Sequence, residues 1–146
     1  MPSAEVEPAG DELGIASGAE SEGKSVSLKT SLRNAIVLVS PAMREANNGN
    51  WHTAQRWSKF LSGHCDTALV KSWPPAGGSS SAAHAPQAMI ALHARRSAES
   101  IRAWAKSCPE KPLIVVLTGT DLYRDIQYDA DAQKSLALAS HLVVLQ

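Results

Sequence analysis

Five short apolar runs, each closed by proline or by a cluster of polar residues, constrain this chain more than any other feature. Asn34–Ser40 (NAIVLVS) stops at Pro41, and Asp66–Trp73 (DTALVKSW) stops at Pro74 and Pro75. Ala88–Ala94 (AMIALHA) ends at two arginines, Pro112–Gly119 (PLIVVLTG) runs into a polar stretch, and HLVVLQ follows from His141. Continuous apolar runs rich in β-branched residues, without polar alternation, are strands buried on both faces. Helical spacing fills the gaps between them. Over Asn50–His64, Trp51, Ala54, Trp57 and Leu61 share a face, with Asn50 read as the N-cap and Gly63 as the stop. A second helix is capped by Ser97, carries Glu99 in its first turn and aligns Ala98, Ile101, Ala105 and Cys108. A third covers Asp129–Ala139, with Ala132, Leu136 and Ala139 on one side. Pro74–Gln87 (PPAGGSSSAAHAPQ) is long enough for a crossover but poor in helix formers, and is expected to be a loop. Strands separated by helices predict a Rossmann-like α/β domain with a parallel sheet.

Charge divides the chain. Residues 1–30 hold six acids (Glu5, Glu7, Asp11, Glu12, Glu20, Glu22) against Lys24 and Lys29, a balance of −4, so the neutral whole leaves +4 for residues 31–146. The first segment is rich in Ser, Gly, Ala and Glu and has too few large aliphatic residues to offset ordering entropy of about 1–2 kcal/mol per residue. It reads as a disordered acidic tail before a single domain over 31–146. A net charge of zero removes any general case for nucleic acid or an anionic membrane as the main partner. No apolar run reaches the ~18–20 residues of a membrane helix, and no secretory signal opens the chain, so a cytoplasmic protein without a membrane span is expected. Two cysteines, Cys65 and Cys108, exclude a disulfide framework and a four-cysteine zinc site, and read as free thiols.

A sheet of this type places its ligand at the carboxyl ends of its strands, where the strand order reverses. By analogy the order is taken as 3-2-1-4-5, which joins the loops after the first and fourth strands; an order of 2-1-3-4-5 joins the first and third instead. The candidate site is therefore 41–53, 93–97 and 118–125. In NNGN, Gly49 allows close backbone approach, and Asn48, Asn50 and the following helix start present N–H groups to an anion; an ordinary turn with an N-cap explains the motif equally well. Arg95 and Arg96 precede a helix start whose dipole they oppose, so either an anion bridges them or water solvates them. TGTDLYRD concentrates Thr118, Thr120, Asp121, Arg124 and Asp125 after a buried strand. Asp121 and Asp125 are candidate ligands or a general base, or are simply satisfied by Arg124 and helix capping. His93 is the one histidine inside the site. No histidine pair has metal-ligand spacing, so neither a metal nor a cofactor is expected. The missing G-x-G-x-x-G and P-loop lysine weigh against dinucleotide and ATP sites. Trp51, Trp57 and Trp104 read as helix–sheet packing, and Trp73 as the exposed tryptophan.

IVLVSPA…ANNGNWHTAQRW, MIALHARRS and LTGTDLYRDI…DAQKSLALASHLVVLQ together resemble the N-terminal half of a GT-B glycosyltransferase. Within the broad family-4 retaining-type enzymes, they are most similar to the selenosugar synthases of selenoneine biosynthesis. The resemblance spans about Asn34 to Gln146, apart from the Pro74–Gln87 loop. It implies two Rossmann-like domains around one active site, a UDP-sugar donor and a selenophosphate acceptor that takes the sugar at its anomeric carbon. Arg95, Arg96 and Arg124, with Ser97, Thr118 and Thr120, would hold the acceptor. Asn48, Gly49, Asn50 and Thr53 would face the donor diphosphate, although the loop departs from the commoner two-glycine form. His93 and Asp121 would be the catalytic pair.

The resemblance also implies a C-terminal donor domain about as large again, which residues 1–146 do not contain. These residues are thus expected to form an acceptor-side half that is inactive alone. A non-catalytic anion- or nucleotide-binding module, and a family-4 enzyme with a different acceptor, are the alternative readings. The expected outcome of incubating purified 1–146 with UDP-sugar and selenophosphate is no release of UDP; detectable release contradicts the half-enzyme reading.

Overall fold

The computed structural model describes residues 34–46, 48–77 and 85–145. The acidic segment 1–30 and residues 78–84 of the 74–87 loop lie outside them. The described residues form a parallel sheet of five strands: β1 (Ala35–Val39), β2 (Asp66–Val70), β3 (Ala88–Leu92), β4 (Leu113–Leu117) and β5 (His141–Val144). All five apolar runs are strands, each shorter than its run because the flanking polar residues leave the ladder. The order is β2-β1-β3-β4-β5, not the 3-2-1-4-5 expected by analogy. β3 thus pairs directly with β1, Val37 opposite Met89 and Val39 opposite Ala91. The reversal of winding lies between β1 and β3.

Alternation along each strand gives the sheet two apolar faces. On one, Val37, Val39, Met89, Ala91, Val115 and Leu117 pack with Ile101 and Trp104 of α2 (Ala98–Ser107) and Ala132 of α4 (Ala130–Leu138). On the other, Leu38, Ile90, Leu92 and Val116 pack with Ala54, Trp57 and Leu61 of α1 (Gly49–Leu61). The predicted stripe of α1 is the one that meets the sheet. Trp104 is fully buried and meets the ring of Trp73 edge-to-face, centroids 5.3 Å apart, while the Trp73 N–H donates to Ser100 Oγ at 2.9 Å. Trp73 is therefore half-buried packing rather than the exposed tryptophan expected. β5 is an edge strand, and Leu142 and Val144 on it are exposed.

Two helix starts differ from the sequence reading. The N-cap of α1 is Asn48, two residues before the asparagine expected, and its Oδ1 accepts from the Trp51 N–H at 3.2 Å. Ser97 occupies the N-cap position of α2 but makes no cap bond; its hydroxyl donates to the Leu92 carbonyl at 2.6 Å. Asp129 caps α4 through the N–H groups of Asp131 and Ala132, both at 2.9 Å. The stretch read as a polar loop after β4 is helical: a π-helical segment Asp121–Asp125 runs into a single turn, α3 (Ile126–Tyr128). Such wide turns are frequent at functional sites. No helix among the described residues is long and apolar enough to cross a membrane.

Ile101 is fully buried beside Trp104, whereas Phe60 is 76% exposed on α1. Ile101→Ala is expected to destabilise the domain by about 2–5 kcal/mol in denaturant titration, and Phe60→Ala by no more than about 0.5 kcal/mol.

Candidate functional site

A cleft of about 430 Å³ opens at the carboxyl ends of the strands. It is lined by Asn48, Gly49, Asn50 and Thr53 after β1, His93 and Arg96 after β3, Thr118, Gly119 and Thr120 after β4, and Leu145 beyond β5. Residues of all three expected loops therefore meet in one place. The β1–β3 neighbourhood brings the first and third together, and β4, next in the sheet, adds the last. The start of α1 forms one wall, so unpaired first-turn N–H groups of a 13-residue helix sit at the cleft with the positive end of its dipole. A Cβ on Gly49 or Gly119 would meet no atom within 4 Å, which leaves the backbone of both loops open to close approach. Among the described residues no acidic side chain lines the cleft.

Beneath the cleft lies Asp121, fully buried, whose two oxygens serve both neighbouring loops. Oδ2 accepts from the Ala94 N–H at 3.0 Å and the Thr118 N–H at 3.3 Å. Oδ1 lies 2.6 Å from His93 Nδ1 and 3.5 Å from the Arg95 nitrogen. The Arg96 N–H also points at His93 Nδ1, at 3.4 Å. One nitrogen cannot both donate and accept; the contact with the carboxylate is much the shorter and requires a proton between the atoms, so Nδ1 is the protonated nitrogen. His93 is held at φ 69°, a left-handed conformation that is uncommon outside glycine. That turn is pinned by Asp121, by the Ser97–Leu92 bond and by Ser135 of α4, whose hydroxyl reaches the Ala94 carbonyl at 2.8 Å.

The expected residues fall into two sets. Asn48, Gly49, Asn50, Thr53, Arg96, Thr118 and Thr120 border the cleft. Arg95 does not: its guanidinium turns to Asp125 Oδ1 at 3.4 Å and Asp129 Oδ2 at 3.1 Å. Arg124 is exposed outside the lining. Ser97 spends its hydroxyl on the backbone. The proposed catalytic pair is present as a contact but lies under the floor. His93 borders the cleft with a side chain only 1% exposed, Nδ1 on Asp121 and Nε2 shielded from solvent. Asp121 does not line the cleft. Asp125 is satisfied on one oxygen by Arg95, not by Arg124 or a helix cap. His93, Asp121 and Asp125 offer ligand atoms within 4.8 Å of one another, a grouping that histidine spacing could not indicate because it joins two loops. Leu145 was unmarked in the sequence; only its place past the fifth strand end brings it to the cleft.

No protein-family model and no curated protein matches the chain. Among solved structures, the fold is similar to that of an adenylate cyclase from Rhodopirellula baltica, with a TM-score of 0.51 and 12% identity over 77% of this chain and 76% of that one. The likeness shows a shared α/β architecture: a parallel sheet with flanking helices, Rossmann-like in kind.

Removing the Asp121 carboxylate leaves the Ala94 and Thr118 N–H groups and His93 Nδ1–H buried without an acceptor. Asp121→Ala is expected to cost about 3 kcal/mol in denaturant titration, against no more than about 0.5 kcal/mol for Arg124→Ala.

Proposed function

We propose that this domain is the acceptor-side half of a GT-B glycosyltransferase that transfers a sugar from a UDP-sugar to selenophosphate, giving a selenosugar for selenoneine biosynthesis. The observation that carries the reading is the chemistry of the cleft: Arg96, the α1 start and the hydroxyls of Thr118 and Thr120 around two unobstructed glycines, with no carboxylate in the lining. That set suits phosphate-type anions. It is joined by the motifs NGNWHTAQRW, LHARRS and TGTDLYRDI, which carry the resemblance to selenosugar synthases.

In the reaction the selenium of selenophosphate attacks the anomeric carbon, the bond from that carbon to the UDP oxygen breaks, and UDP leaves with the electron pair. Hydrolysis then frees the selenosugar: water attacks phosphorus, the phosphorus–selenium bond breaks, inorganic phosphate forms and selenium leaves as the selenolate. The nucleophile is already anionic, so it needs positioning and cationic support more than a general base. Arg96 supplies the charge and Thr120 an O–H donor, while the Thr118 hydroxyl is directed at Asp121 Oδ2 at 3.5 Å. The Asn48–Asn50 turn and the start of α1 face the donor diphosphate, with the nucleotide held by a second domain. Asp121 and His93 act from beneath the floor as positioning residues: they hold the His93–Arg96 turn and Thr118 in register. Arg95 and Arg124 have no part in holding the acceptor.

Calorimetric titration of selenophosphate into the chain, under reducing conditions, is the first test. Saturable binding is expected, weakened about tenfold or more by Arg96→Ala, the scale of one lost charge-assisted contact, and unchanged by Arg124→Ala. Adding a donor domain of a selenosugar synthase together with UDP-sugar is then expected to restore UDP release. Absence of selenophosphate binding rejects the reading; binding without turnover in any reconstituted pair identifies an anion-binding module instead.

A further inference from the structure

Two buried polar atoms face each other below the cleft. His93 Nε2 and Asp125 Oδ2 stand 3.9 Å apart, both residues are more than nine-tenths buried, and neither atom has a hydrogen-bond partner among the described residues. Asp121 engages Nδ1, the other ring nitrogen, so Nε2 is the one directed at Asp125. At 3.9 Å the two atoms are too far apart for a hydrogen bond, and each forfeits its hydration without return. Arg95 does not relieve them, since its guanidinium is taken up by Asp125 Oδ1 and Asp129 Oδ2. Asp121, Asp125 and Asp129 thus surround this histidine and arginine with a surplus of negative charge.

We propose that this pair binds a divalent transition-metal ion, with His93 Nε2 and Asp125 Oδ2 as direct ligands and Asp121 as the carboxylate behind the histidine. Metal bonds from imidazole nitrogen and carboxylate oxygen are each about 2.0–2.1 Å. Two of them span a little more than the observed 3.9 Å, so an ion fits between the atoms slightly off their line. The Asp121–His93 contact supplies the support that metal-bound histidines almost always have: a carboxylate on the far ring nitrogen that fixes the tautomer and raises ligand basicity. An imidazole in the donor set favours zinc and its neighbours over magnesium or calcium. Two direct side-chain ligands bind more weakly than the four of a closed structural zinc site. The ion ties the turn after β3 to the π-helical segment after β4, holding Arg96 and Thr118–Thr120 from below. This inference does not depend on which anion the cleft takes.

The test is titration of zinc into the chelator-treated full chain, read by calorimetry and by the melting temperature, with cobalt(II) absorption to report the ligand type. One zinc per chain is expected, with a raised melting temperature, cobalt bands of nitrogen and oxygen ligation without thiolate charge transfer, and no comparable response to magnesium. Asp125→Asn keeps the side-chain shape, and His93→Asn keeps a residue that tolerates the left-handed backbone. Each is expected to weaken zinc about tenfold or more, as loss of a ligand or its support does. Circular dichroism establishes that each variant is folded; if His93→Asn is not, Asp125→Asn alone decides. The proposal is overturned by an absence of saturable zinc binding to the folded chain, or by binding that a folded variant of either kind leaves intact.

Discussion

The buried carboxylate of Asp121 holds the functional end of this domain together. One side chain accepts from the backbone of the turn after β3, from the backbone at the end of β4 and from the His93 ring. These groups belong to separate loops whose own N–H donors would otherwise lie buried without acceptors, a cost that no apolar residue at this position could offset. The left-handed backbone at His93 is sustained by the same network, reinforced by Ser97 and Ser135. The floor of the cleft is therefore a polar structure within an apolar sheet, and the cleft above inherits its geometry.

The direction of the charges follows from that arrangement. The carboxylates Asp121 and Asp125 are gathered below, where backbone N–H groups and Arg95 meet them. The cleft itself retains Arg96, three threonines, two glycines and the positive end of α1. Separation of sign between floor and lining makes the site suited to an anion while a nearby cluster of carboxylates remains in the same loops. Of two adjacent arginines, only Arg96 borders the cleft, because Arg95 is drawn to Asp125 and Asp129. The proposed transfer from UDP-sugar to selenophosphate asks for such an environment: a held anion, a developing charge on a departing diphosphate, and no acid in the described lining to repel either.

A parallel sheet ordered β2-β1-β3-β4-β5 also explains how three loops distant in sequence share one cleft. Pairing of β3 with β1 sets the His93–Arg96 turn beside the start of α1, and β4 brings Thr118–Thr120 alongside. The observed order is the 2-1-3-4-5 alternative of the sequence analysis, which joins the first and third loops; the last loop joins them because β4 is next to β3. The exposed Leu142 and Val144 on β5 mark the open edge of the same sheet.

The strands and the faces of the helices were legible in the sequence because each is a local repetition. An unbroken β-branched run such as LIVVL has no solvent-facing side to offer, and the Trp51, Ala54, Trp57, Leu61 spacing has one face to bury. The loops that carry the site were legible for a similar reason, since polar residues directly after buried strands have to sit at a sheet end. What remained hidden depended on partners far along the chain. Asn48 rather than Asn50 caps α1, and the π-helical turn replaces a polar loop, through competition among backbone donors that no short window records. The strand order, the diversion of Arg95 into an ion pair and the burial of His93 between two aspartates come from contacts 24 to 52 positions apart. Side-chain type and spacing thus determined that this chain builds a doubly covered parallel sheet with polar loops at one end. Only tertiary packing decided which of those polar groups face the cleft and which are consumed in holding it, because that choice is made by buried hydrogen bonds between segments that are not neighbours in sequence.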